Sequence, residues 1–319
     1  MRPRPIRSWR GALRAGFLLL VLALLISAVV DQGPAFGSAL GRLDAPSFAG
    51  AAALAILGLG AQQLSWRSLL AETGEAPGLR AAARIYFVGQ LGKYIPGSVW
   101  AVVAQAELGR DHQVSRARSA VVALGSLAVL VVVGGAVAGV GLSAGSPGSI
   151  AAYWWALLAV PVGAVVLAPP VFNRLVGLIL RVLRRPTTPP SLGGRALAAS
   201  SAWALLMWIL FGAHAWVLAI ALGASPDARS AAVTTGAFAL AWVVGLLIVI
   251  APAGAGAREA ALVVALAPVL DRADALVLAL ASRLLMIVGD LAWAGASAVG
   301  HTARDRGAAS PPTDQAATS

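Results

Sequence analysis

The chain has 319 residues, 59% hydrophobic and 12% charged, with a formal net charge of +11 and no cysteine. A soluble domain carries about 25% charged residues, so this composition excludes an ordinary soluble fold. The missing cysteines exclude disulfides, thiolate chemistry and Cys-ligated metals.

Several apolar runs of about 20 residues match a hydrocarbon core of about 30 Å. They indicate an all-α polytopic membrane protein; the alternation of an outer-membrane barrel is absent. Residues 1–14 carry Arg2, Arg4, Arg7, Arg10 and Arg14 and read as a basic cytoplasmic tail. Residues 15–30 follow. They look like a signal peptide, yet more apolar spans come after them and no small-residue cleavage site stands out. The expectation is a retained first transmembrane helix. A second span covers 48–66, and the loop beyond it holds Arg67, Glu72, Glu75, Arg80 and Arg84.

Residues 81–108 are unusual. They contain "VGQLGKYIPGSVW", with the only lysine of the chain, Lys93, followed by a break at Pro96–Gly97. Each arm of about 11 to 15 residues rises only about 17 to 22 Å, and charged loops flank both ends. A re-entrant hairpin fits these features; the alternative is one tilted, kinked span.

Residues 119–142 and 150–167 read as spans. Residues 171–185 read as an interfacial amphipathic helix, because Arg174, Arg181, Arg184 and Arg185 fall on one side. "PTTPPSLGG" is a linker, and 197–222 spans again. Residues 231–270 are interrupted by "APAGAGARE", which suggests a second re-entrant hairpin, or a full span over 231–250 with an outside C-terminus. The last span is 275–299, and 301–319 read as a disordered cytoplasmic tail. The expected architecture is one transmembrane domain, 15–300, with six spans and two re-entrant hairpins. Its halves, about 15–145 and 150–300, form an inverted repeat with both termini cytoplasmic, in a cell (plasma) membrane. Interrupted segments at matching positions of two such halves point to a transporter site.

The candidate binding residues gather around the two breaks. Pro96 removes a backbone donor, Gly97 lets the chain reverse and Ser98 caps the next helix, which leaves an anion-binding helix end. Gln90, Lys93 and Tyr94 lead to that tip. Pro252, Gly254 and Gly256 break the second segment, and Arg258 and Glu259 open its return arm. Arg283 and Asp290 lie inside the last span, seven residues apart. Buried charges at such depth need a partner or a cavity. Structural pairing of Lys93 with Asp290 or Glu259, of Arg258 with Glu259 or Asp290, or of Arg283 with Glu259, is the competing role. The five charged residues sum to +1, a balance suited to a phosphate-bearing headgroup.

Other chemistry finds little support. There is no phosphate-binding Gly-rich loop ending in Gly-Lys-Ser/Thr, and "DRAD" (271–274) has the wrong spacing for a metal-held nucleotide sugar. His112, His214 and His301 are scattered, so neither a metal nor another cofactor is expected. His214 and the tryptophans near it read as core packing. The arginines mark membrane loops rather than a nucleic-acid surface.

"YFVGQLGKYIPGSVWAVVAQAEL", "PAGAGAREAAL" and "ADALVLALASRLL" together resemble the membrane region of the lysylphosphatidylglycerol synthase/flippase family. The resemblance covers nearly the whole chain except its tails. It implies a lipid flippase-like fold with re-entrant helices. About 20 residues follow the last span, so the soluble synthase domain of two-domain members, and its activity, are not carried over. The expected function is translocation of an anionic phospholipid or a polyprenyl-phosphate-linked sugar. Rival readings are an integral-membrane transferase acting on a polyprenyl phosphate and a non-transporting partner of a membrane glycosyltransferase. A second copy of the chain is a further candidate partner.

Overall fold

The computed structural model describes residues 33–74, 77–94, 100–145, 157–182, 191–247, 254 and 256–308, and the regular elements among them are all helical. The expected first span, 15–30, and the Pro96–Gly97 and Pro252 breaks lie outside the described residues. The elements are α1 (Gly33–Arg42), α2 (Ala45–Glu72), α3 (Leu79–Gln90) with a 3-10 turn (Leu91–Tyr94), α4 (Trp100–Arg110) and α5 (Arg116–Ser143). They continue with α6 (Ala159–Leu167), α7 (Pro169–Val182), α8 (Gly194–Ala221), α9 (Ala228–Leu247), α10 (Ala257–Leu266) and α11 (Arg272–Ala308).

Among the described residues, five helices are long and apolar enough to cross a membrane: α2, α5, α8, α9 and the Arg272–Val299 part of α11. A sixth appears if the bent pair α6–α7 counts as one span. Four of these five overlap the expected full spans. The fifth, α9, is 20 residues long, about 30 Å at about 1.5 Å per residue. It can cross by itself, so the second interrupted segment pairs a full-length arm with the short α10 of 10 residues. The last helix continues to Ala308, past the expected end of its span at Val299.

The core is built from close helix contacts rather than bulky layers. Helices α2 and α8 run antiparallel. The Ser65 hydroxyl hydrogen-bonds the Ser200 carbonyl at 2.9 Å at one end, and Gly58 lies against Phe211 at the other. Helices α5 and α9 touch backbone to backbone, as small residues allow in a bilayer. A Cβ on Gly236 would lie 2.8 Å from the Leu142 nitrogen, and one on Gly141 would lie 2.4 Å from the Ala232 carbonyl oxygen. Gly236→Val is therefore expected to destabilise the protein by about 1–3 kcal/mol through overpacking. Thermal denaturation of the detergent-solubilised chain measures it; an unchanged midpoint would refute the contact.

The first interrupted segment folds back on itself. Gly89 lies against Gln105, and a Cβ on Gly92 would sit 2.7 Å from the Ala101 nitrogen. Glycines on α3 and the 3-10 turn thus let α4 return in direct contact. At the far end of α4, Glu107 accepts from Arg116 at 2.6 and 3.0 Å and from Arg110 at 3.2 Å. Hydrogen bonds from Arg116 first, then Arg110, hold its carboxyl below its ordinary value. A lowered folded-state value means a stabilising contribution that is present above the ordinary carboxylate range and lost as pH falls through the folded-state value. Hydrogen-exchange protection over residues 107–118, taken relative to the intrinsic rate at each pH, should fall below about pH 4, and Glu107→Gln should remove that pH dependence.

At 168–170 the chain bends by 79° between α6 and α7. Two prolines follow Ala168, and the residue before proline avoids the helical region; Ala168 is extended, with φ −61° and ψ 130°. Helix α7 buries Phe172 and Val176, one turn apart, and exposes Arg174 and Arg181. Its Asn173 exchanges two hydrogen bonds with the Leu192 backbone, at 2.8 and 2.9 Å, and so ties the end of the linker to α7.

Candidate functional site

Two ion pairs and one further cation meet where the interrupted segments reach α11. The 3-10 turn after α3 delivers Lys93 and Tyr94 to Asp290. Lys93 Nζ lies 2.6 Å from Asp290 Oδ2, and the Tyr94 hydroxyl donates to the same oxygen at 2.6 Å. One turn of helix α10 delivers Glu259 to Arg283, which donates to Glu259 Oε1. The other carboxylate oxygen, Oε2, accepts the Gly256 backbone N–H at 2.6 Å and so caps α10. Arg283 and Asp290 both project from α11 but pair with different elements.

The glycines before α10 are required by geometry. Gly254 has φ +68° and Gly256 φ +84°, values at which a side chain is strained. A Cβ on Gly254 would also lie 2.6 Å from the Gly245 backbone, and one on Gly245 would lie 2.9 Å from Arg258 Cβ. The loop is thereby pressed against the end of α9, which sets where Arg258 emerges.

Arg258 stands apart from the pairs. Its guanidinium lies over the Phe238 ring, 4.8 Å from the centroid. Among the described residues it has no carboxylate within 4.0 Å, although Glu259, Arg283, Tyr94 and Asp290 are all within its electrostatic reach. The two pairs cancel and Arg258 leaves the cluster at +1. The carboxylates are core groups with 4% of their side chains exposed, whereas Lys93 keeps 31% and Arg283 24%. The accessible side of the cluster is thus its cationic side.

Phe238 is held in turn by His214, which meets it edge-on with ring centroids 4.8 Å apart. His214 is fully buried; its Nε2 bonds Ser282 Oγ at 2.9 Å and its Nδ1 bonds the Phe211 carbonyl. It is a satisfied core histidine, as the sequence suggests. Asp271 of "DRAD" accepts the Asp274 N–H at 2.8 Å at the start of α11, while Asp274 pairs with Arg42.

The structure brings together eight of the expected site residues: Lys93, Tyr94, Gly254, Gly256, Arg258, Glu259, Arg283 and Asp290. Gln90 points elsewhere, donating to the Tyr86 hydroxyl at 2.9 Å. Pro96, Gly97, Ser98 and Pro252 lie outside the described residues. Sequence reading missed Phe238 and Tyr86, because one aromatic side chain in an apolar helix carries no signal of what it supports. The Tyr86–Gln90 spacing of four was the one available hint.

A family model described as the lysylphosphatidylglycerol synthase TM region matches residues 12–294. The chain belongs to this family. The match includes every residue of the cluster and agrees with the resemblance carried by the three quoted stretches. Among curated proteins, none matches the chain. Membership and the apolar helices together make this a multi-pass membrane protein of a lipid-related family.

A cleft of about 670 Å³ opens between α5, α6, α8 and α9, and its lining is almost wholly apolar, with Val132, Val137, Val160 and Leu205 among it. None of the charged residues of the cluster lines it. Its character suits hydrocarbon rather than a charged group.

Proposed function

We propose that this membrane protein translocates a lipid with an anionic headgroup, a phospholipid or a polyprenyl-phosphate-linked sugar. One observation carries the reading: among the described residues Arg258 is a cation without a carboxylate partner, set between two ion pairs where both interrupted segments converge. A lone guanidinium at membrane depth is stable only with a counter-charge or a wet cavity. A phosphate supplies that charge and matches the guanidinium fork. Lys93 and Arg283 then add donors from either side.

In this reading the segment α3–α4 and the loop before α10 are re-entrant, and the two halves form an inverted repeat with both termini in the cytoplasm. The headgroup passes between the two tips while its chains stay in hydrocarbon. Binding of phosphate competes with Asp290 for Lys93 and with Glu259 for Arg283, so loading loosens the two latches between the segments and α11. Protonation of either carboxylate would loosen the same latch, which gives a route for coupling to a proton gradient. The membrane is the plasma membrane, and the chain performs no covalent chemistry.

The test is reconstitution into vesicles containing a fluorescent anionic phospholipid, with an impermeant quencher added outside. Protein-dependent loss of the protected inner-leaflet fraction supports the reading. An unchanged fraction across anionic phospholipids and polyprenyl-phosphate sugars overturns it. A covalently altered lipid after incubation with a labelled donor would assign a transferase instead.

A further inference from the structure

Three hydrogen-bond donors on α2 end in buried N–H groups that have no acceptor among the described residues: Gln63 Nε2, Trp66 Nε1 and Arg67 Nε. Their spacings of three and four place them on one side of the helix. Gln63 and Trp66 are only 4% and 3% exposed. Buried polar groups are nearly always paired, so three unpaired donors on one face call for an explanation.

Their surroundings locate them. Trp66 packs on Tyr86 of α3 with ring centroids 5.3 Å apart. Tyr86 receives the hydrogen bond from Gln90 and lies within electrostatic reach of Asp290. Earlier on the same stripe of α2, Gly60 and the Ile56 carbonyl touch Trp293 of α11, and Trp293 stacks on Phe87 of α3. The donors therefore face the seam between α2, α3 and α11, the seam that also holds the Lys93–Asp290 pair.

The chemistry of the deficit is one-sided. A carboxamide N–H, an indole N–H and a guanidinium N–H are all donors, and Arg67 has no carboxylate within 4.0 Å among the described residues. The complementary group is rich in acceptors and negatively charged, as a phosphodiester is. We propose that Gln63, Trp66 and Arg67 form a second station for the lipid phosphate, one step removed from Arg258. It rests on the translocation reading above and names where the headgroup waits. The station lies near the C-terminal end of α2, where the next segment begins with Arg80 and Arg84 on α3. Those arginines would gather anionic lipid at that mouth of the seam.

Trp66→Phe keeps the ring on Tyr86 and deletes only the N–H; Gln63→Met keeps the volume and deletes the amide. Calorimetric titration of the full chain in maltoside micelles, with dihexanoylphosphatidylglycerol as the probe, reads their effect. Each variant is expected to weaken binding about 5- to 20-fold, with an unchanged or raised thermal midpoint in the absence of probe, because an unpaired buried donor has been removed. Affinities within twofold of the parent for both variants overturn the station. Inorganic phosphate, titrated in parallel, is expected to bind far more weakly. Equal affinity for it, with the same loss in both variants, would assign the donors to free phosphate and overturn the lipid assignment. Arg258→Gln separates the two readings. If it stops translocation while Trp66→Phe and Gln63→Met bind as the parent does, only the station fails. If it leaves translocation intact, Arg258 leaves the mechanism; a parent chain that moves no lipid overturns the transport reading, whatever the titration gives.

Discussion

Arg258→Gln is expected to lower the rate of lipid translocation about 10- to 150-fold, with the protein still folded. The magnitude follows from the loss of one charged hydrogen-bonding group, worth about 1.5–3 kcal/mol, at about 1.4 kcal/mol per tenfold. Folding should survive because no carboxylate among the described residues loses its partner. The loss to stability is the contact with Phe238, about 0.5–2 kcal/mol. Arg258→Lys keeps the charge and loses the two-pronged grip, so its rate should fall between those of the parent and the glutamine variant. Quenching of fluorescent lipid in vesicles measures all three. Glutamine and parent chains flipping lipid at the same rate would remove Arg258 from the mechanism.

Arg283 gives the opposite pattern. Arg283→Met leaves the Glu259 carboxyl without its counter-charge in a site where only 4% of its side chain is exposed. Breaking a buried pair from one side is expected to destabilise the fold by about 3–5 kcal/mol. The double variant Arg283→Met/Glu259→Gln should recover most of that loss, because no charge remains unpaired and the glutamine oxygen still accepts the Gly256 N–H. Thermal denaturation of the single and double variants closes the cycle. A double variant no more stable than Arg283→Met alone would show that the pair does not hold α10 to α11. The contrast matters for function: Arg258 should behave as a binding residue, Arg283 as a residue that also holds the site together.

Much of the site was legible as a set of residue types. A lone lysine before Pro-Gly, an Arg-Glu pair after a Gly-rich break, and an arginine and an aspartate seven apart in an apolar helix are all expensive in a bilayer. Each therefore marks a place where partners are required. The pairing itself was not legible. Lys93 lies 197 positions from Asp290 in the chain, and Glu259 was an equally good partner until the turn after α3 set the distance. The donors on α2 were hidden for a different reason. "QQLSWR" ends an expected span, where amides, an indole and an arginine are routine at an interface. Only burial of their N–H groups makes them unusual.

The sequence by itself determined that this chain is a helical, multi-pass membrane protein and where most helices run. Length, hydropathy, proline and glycine act locally, and local composition is enough to settle such features. Only the tertiary structure decided that Lys93 meets Asp290 and Tyr94, that Arg283 meets Glu259, and that Arg258 rests on Phe238 with no carboxylate partner among the described residues. Those outcomes depend on distances of a few ångströms between segments far apart in the chain. The contacts of α3 with α4, of α9 with α10, and of α3, its 3-10 turn and α10 with α11 set those distances, and no local pattern encodes them.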